Sequence, residues 1–145
     1  MRHFGIEVDI AAPPERVWGV MSDVERWHEW TPSVTSIKRL DSGPFGLGSW
    51  ALIRQPKLLP AKWQVTELVE GRYFTWVSRG PGFQVAGRHA VEATETGSHA
   101  TLSIDFTGLL GPLLGSLLRG LNERYLGFEA KGLKERSENS ADMPS

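Results

Sequence analysis

The sequence predicts an α+β fold: a curved, seven-stranded antiparallel sheet around one long C-terminal helix, with two short helices after the first strand. Three patterns carry that expectation. The N-terminal segment alternates apolar and polar residues with a period of two. From about Val34 to Thr107, six strand-like runs follow one another with only short breakers between them, and strands joined so tightly pair antiparallel. The last long segment, Pro112 to Arg136, places Leu114, Leu117, Leu118, Leu121, Tyr125 and Phe128 on one helical face.

In the first strand Phe4, Ile6, Val8 and Ile10 alternate with His3, Gly5, Glu7 and Asp9, the pattern of a strand buried on one side. Pro13 and Pro14 end it and open a helix, because proline is tolerated in a first turn. Val17, Val20 and Met21 recur at helical spacing behind Glu15, an acid in the favourable early position. A second short helix, capped by Asp23, carries Val24 and Trp27 and stops before Pro32. The later strands are expected at 34–40, 49–55, 62–69, 73–78, 83–94 and 99–107. Asp41-Ser42-Gly43-Pro44, Pro56, Glu70-Gly71-Arg72, Gly80-Pro81-Gly82 and Glu95-Thr96-Gly97-Ser98 punctuate them. The final helix would be about 35 Å long, enough to cover the hollow of a bent sheet. Arg119, Glu123, Lys131 and Lys134 fall on its outer side. A single domain is expected over residues 1–137, with a polar tail over 138–145.

Composition narrows the function. Sixteen basic residues against 17 acidic ones give a formal net charge of −1, which offers no excess positive charge to nucleic-acid phosphates. There are no cysteines, so disulfides, thiolate metal sites and Cys nucleophiles are excluded. The histidines (His3, His28, His89 and His99) are scattered without metal-ligand spacing, and no glycine-rich phosphate loop opens a helix. No metal or cofactor is therefore expected. The N-terminus lacks the continuous apolar core of a signal peptide. The longest apolar stretch, Phe106 to Leu118, is interrupted by Gly108, Gly111 and Pro112 and falls short of the roughly 20 residues that span a bilayer. The expectation is a cytoplasmic protein without stable membrane insertion, a monomer or homodimer.

The stretch Val8-Asp9-Ile10-Ala11-Ala12-Pro13-Pro14-Glu15-Arg16-Val17-Trp18, in this order of elements, resembles the START-like (SRPBCC) superfamily, and within it the polyketide cyclase/dehydrase branch. Asp23-Val24-Glu25-Arg26-Trp27-His28-Glu29-Trp30, Trp63-Gln64-Val65-Thr66-Glu67 and Phe106-Thr107-Gly108-Leu109-Leu110-Gly111-Pro112 add to the likeness. It covers about Ile6 to Arg136. The resemblance implies the helix-grip fold, and a function ranging from lipid carriage and hormone or ligand binding to aromatase/cyclase chemistry. Fold alone does not choose among them.

A bent sheet and a straight helix cannot touch along their whole length, so the gap must hold side chains, water or a guest. The apolar strand phases Trp50, Leu52, Trp63, Val65, Phe74, Trp76, Phe83 and Val85 are expected to face the helix, where a filled core and a ligand-binding wall are alternative readings of the same residues. From the helix, Leu117, Leu121 and Tyr125 join them. His89 shares the inward phase of Val85 and Val91, so it is either a satisfied core histidine or a hydrogen-bonding or acid–base group. Arg54 shares phase with Trp50 and Leu52. It either meets a ligand carbonyl or anion, or ends its strand in solvent. Trp27 and Trp30 are expected to cap the mouth or pack the short helices, and the helix glycines (Gly111, Gly115, Gly120, Gly127 and Gly132) to serve curvature, close packing or ligand space. The polar candidates are scattered singles, so a carrier or sensor of a small hydrophobic molecule ranks first and a cyclase, aromatase or dehydratase second. A chaperone-like or membrane-surface role for the Leu-rich entry to the last helix is a third reading.

Overall fold

The computed structural model describes residues 1–139 and contains the seven strands in the predicted places: β1 (Arg2–Ile10), β2 (Ser36–Arg39), β3 (Trp50–Arg54), β4 (Ala61–Val69), β5 (Tyr73–Gly80), β6 (Phe83–Thr94) and β7 (Gly97–Thr107). They form one antiparallel sheet in the order β1-β7-β6-β5-β4-β3-β2, so the chain returns β1 beside the last strand. The helix α1 (Pro14–Ser22) follows β1 with Pro13 at its N-cap, and a 3₁₀ turn over Val24–Glu29 comes next. Asp23 occupies the cap position of that turn but makes no capping bond; its carboxylate lies 3.5 Å from Arg26 instead.

The C-terminal rod is two helices, not one. Helix α2 (Gly111–Leu117) and helix α3 (Arg119–Glu138) are separated by one non-helical residue, Leu118, with φ −97° and ψ 12°. The helix reaches Glu138, and the rest of the expected polar tail, from residue 140 on, lies outside the described residues. The C-terminal end of α3 is tied down. Arg16 donates to the carbonyls of Arg136, Ser137 and Asn139, placing a cation on the carbonyls that end the helix, and Glu138 accepts the backbone N–H of Ala11 at 2.8 Å. Close packing explains Gly132, where a Cβ would stand 1.9 Å from the Trp30 carbonyl oxygen. Gly120 and Gly127 meet nothing.

Two expectations about orientation are corrected. In β3 the inward residues are Ala51 and Ile53, while Leu52 is half-buried and Arg54 exposed. The reason is register: Ala51 pairs with Trp63 and Leu52 with Lys62, and paired residues share a face. Both phases of β3 are apolar, so alternation could not choose between them. On the rod the inward stripe is Leu114, Leu118, Asn122, Tyr125, Leu126, Glu129 and Leu133; Leu117 is exposed and Leu121 only half-buried.

One end of the sheet is closed by α1 and the 3₁₀ turn. There Trp18 and Phe45 both meet Phe74 edge-on, at ring separations of 6.1 and 5.2 Å. A shift in register between Val65 and Glu67 of β4 marks a bulge, the device that bends strands.

Candidate functional site

Toward the other end, sheet and rod separate around a cavity of about 880 Å³, within the usual range for small-molecule sites. Of the residues expected there, Trp50, Trp63, Trp76, Phe83, Val85, His89 and Tyr125 line it, Trp50 from a rim position 38% exposed. Leu52, Arg54, Val65, Phe74, Leu117 and Leu121 do not. Leu52 and Arg54 point with the outer phase of β3, Val65 and Phe74 belong to the packed core, and Leu117 and Leu121 sit off the inward stripe. None of the five rod glycines lines the cavity; Gly87 of β6 does, and its missing side chain leaves room for the Trp76 indole, 3.3 Å from where a Cβ would be.

His89 is held by aromatic rings. It stacks on Phe74 with ring centroids 4.7 Å apart and lies edge-on to Trp27 at 5.0 Å and Trp76 at 5.9 Å. Burial pushes its pKa down to about 3, so the imidazole is neutral, and its buried Nδ1 has no protein partner.

Opposite it stands Glu129 of α3, with Oε1 4.0 Å from His89 Nε2. That separation is beyond a hydrogen bond. Burial raises the Glu129 carboxyl to about 7, against the lowering effect of Ser33, whose hydroxyl donates to Oε2 at 3.2 Å. Thr31 extends the chain, its hydroxyl 2.8 Å from that of Ser33. The pair is therefore a neutral imidazole facing a carboxyl that titrates near neutrality, and not a fixed salt bridge. Two further buried donors, Trp63 Nε1 and Asn122 Nδ2, belong to cavity-lining residues and have no partner. Tyr125 is committed elsewhere, its hydroxyl donating to the Pro56 carbonyl, and burial raises its pKa.

Sequence reasoning missed Glu129, Asn122 and Ser33; Trp27, expected to cap the mouth or pack the short helices, packs on Trp30, donates to the Met21 carbonyl of α1 and also lines the cavity. A signal existed: Leu118, Asn122, Leu126, Glu129 and Leu133 recur at helical spacing, with two polar residues inside an otherwise apolar stripe. Among the described residues no three potential ligands gather as a metal site.

Comparison with known proteins agrees with this architecture. The aromatase/cyclase Zhui from Streptomyces sp. R1128 superposes with a TM-score of 0.76 at 19% identity, covering 97% of each chain. The protein TTHA0849 from Thermus thermophilus gives 0.71 at 22%, covering 94% of this chain and 97% of its own. The di-domain aromatase/cyclase StfQ of the steffimycin biosynthetic pathway gives 0.77 at 12%, covering 97% of this chain and 52% of that one. At these identities the likeness shows the helix-grip fold alone. No curated protein matches the sequence. The model of the family described as polyketide cyclase/dehydrase and lipid transport matches residues 1–138, and the chain belongs to that family.

Proposed function

We propose that this protein binds a small, largely apolar molecule carrying oxygen acceptors in the cavity between sheet and rod. The observation that carries the reading is the set of buried polar atoms without protein partners, Trp63 Nε1, Asn122 Nδ2 and His89 Nδ1, all on residues lining one cavity. A buried polar atom left unpaired costs about 1–3 kcal/mol, so three such atoms on the walls of one hollow support a reading in which a guest completes the hydrogen bonding. The aromatic and aliphatic walls supply the apolar contact. Native mass spectrometry of protein purified from its own host is expected to show a bound small molecule that leaves unchanged on denaturation. An interior that takes up no such molecule, and that gives no quenching of tryptophan emission on titration with hydroxylated aromatic compounds, would defeat the reading.

The His89–Glu129 pair favours a second reading, an enzyme of the cyclase, aromatase or dehydratase kind. Catalysis needs two polar groups directed at one buried spot, and these two face each other in the cavity. A carboxyl near pKa 7 is poised to take a proton from a carbon beside a carbonyl, and the Asn122 and Trp63 donors are suited to the oxygen on which charge develops. Incubating the co-purified molecule with protein in D₂O separates the readings. Deuterium uptake that Glu129→Gln abolishes, with binding retained, favours chemistry; no uptake leaves a binding protein.

A further inference from the structure

The strands run alternately up and down, so the β3–β4 loop (55–60), the β5–β6 turn (81–82) and the entry into α2 (108–118) all emerge at one end of the sheet. Leu110 N–H donates to the Gly82 carbonyl at 2.7 Å, fixing the last two together. The β3–β4 loop and α2 both contribute cavity-lining residues, Leu58 and Leu114 among them, so this is the cavity's open end.

Most of the strongly exposed leucines lie at that end, although Leu47, 72% exposed, stands in the β2–β3 loop at the opposite one. Leu59 is 87% exposed, Leu109 93%, Leu113 60% and Leu117 74%, and the last three follow one another every fourth residue. The charges that line the mouth are Lys57, Lys62 and Arg79, all basic, in a chain whose net charge is −1. Glu129 lies deeper in the same cavity, and two acids of β7 and α3 are paired, Asp105 with His3 and Glu123 with Arg119. The opposite end mixes Glu70 and Glu95 with Arg72.

We propose that the open end docks on an anionic lipid bilayer, with Leu59, Leu109, Leu113 and Leu117 entering the headgroup layer and Lys57, Lys62 and Arg79 meeting lipid phosphates. Leucines projecting from separate segments form no groove for a protein side chain, whereas a fluid interface accepts them without shape matching. Basic groups around the apolar tips are the complement of an anionic leaflet. No helix among the described residues is long and apolar enough to cross a membrane, so the contact is superficial. The docking itself does not rest on the cavity's being a ligand site. With that reading, it delivers a guest between bilayer and cavity.

Flotation of the full chain with vesicles tests it. Binding is expected to phosphatidylcholine vesicles containing phosphatidylglycerol, to weaken as salt rises, and to be far weaker to phosphatidylcholine alone. The variant Leu109→Ser/Leu113→Ser/Leu117→Ser is expected to lose at least roughly tenfold in vesicle affinity, while melting as wild type and binding the dye ANS in its cavity as before. Replacing Lys57, Lys62 and Arg79 by Gln is expected to cost about fivefold per charge. No partition onto anionic vesicles, or partition that the leucine variant leaves unchanged, overturns the proposal. So does a concentration-dependent dimer that the leucine variant dissolves in the absence of lipid binding, which would assign the face to a second copy of the chain. Loss of ANS binding with vesicle binding intact would count against the cavity reading and leave the docking standing.

Discussion

Two regions of the interior hold the same kinds of side chain to different ends. At the closed end the indole N–H of Trp18 donates to Glu70 at 3.0 Å, and that of Trp27, which reaches the cavity wall from the 3₁₀ turn, to the Met21 carbonyl at 3.0 Å, so both are satisfied by the protein itself. On the cavity wall Trp63 is buried too, yet its N–H meets no protein acceptor. An aromatic group that is fully partnered stabilises the fold. One left with an open donor costs stability and keeps a valence for something else. The same division separates Phe74, buried completely under four aromatic neighbours, from Asn122 and His89, buried with free polar atoms.

The comparison breaks if the two regions respond alike to mutation. Phe74→Ala should have the largest effect, about 3–5 kcal/mol of lost stability by chemical denaturation, because Trp18, Phe45, Trp76 and His89 all pack on that ring. A loss below about 1 kcal/mol would mean that the closed end is not the structural core.

The sequence made one of these regions legible and obscured the other, for a physical reason. Strand order, turn positions and the inward phases of β1 and β6 follow from alternation, because one side of each faces the core, whereas β5 is buried on both faces from Phe74 to Ser78. The rod misled: hydrophobicity picks out Leu117 and Leu121, whereas the stripe that faces the sheet includes Asn122 and Glu129. Apolar residues turned outward and polar ones turned inward are local violations of the folding pattern, and such violations concentrate where function is paid for in stability. The β3 phase failed differently, since Trp50, Ala51, Leu52 and Ile53 give no alternation to read and only the pairing with β4 decides.

Proton linkage sharpens the contrast. His89 is held neutral, its pKa lowered from 6.5 to about 3, so its contribution is complete above pH 6.5 and is lost as the pH falls toward 3. Glu129 runs the other way. Its pKa is raised from 4.5 to about 7, so its contribution is greatest below pH 4.5 and declines as the pH rises to 7. Between about pH 4.5 and 6.5 the two slopes oppose, and stability should vary little. Glu129→Gln removes one of them: its stability relative to wild type should grow by about 3 kcal/mol between roughly pH 4 and pH 8. Parallel curves for the two proteins would show that Glu129 is not desolvated in the folded state.

A smaller effect is expected at Trp63. Trp63→Phe keeps the aromatic wall and deletes the unpartnered N–H, so stability should change by less than about 1 kcal/mol while affinity for an oxygen-bearing ligand falls roughly tenfold, read by isothermal titration. Equal affinity would mean that the indole faces the guest only with its ring.

The smallest expected change is the most discriminating, because its sign is opposite to that of an ordinary core mutation. Asn122 sits on the inward stripe of α3, 8% exposed, and its Nδ2 is buried without a partner. Leucine has the same branched heavy-atom skeleton, can place its extra volume in the cavity that Asn122 lines, is a better helix former and carries no polar atom to desolvate. Asn122→Leu should therefore leave stability unchanged or raise it by about 1 kcal/mol in thermal denaturation without ligand, and should weaken binding of any guest with a carbonyl or hydroxyl oxygen. If the substitution instead destabilises the empty protein, the amide is engaged in holding the rod to the sheet, and the cavity has one polar contact fewer to offer a ligand.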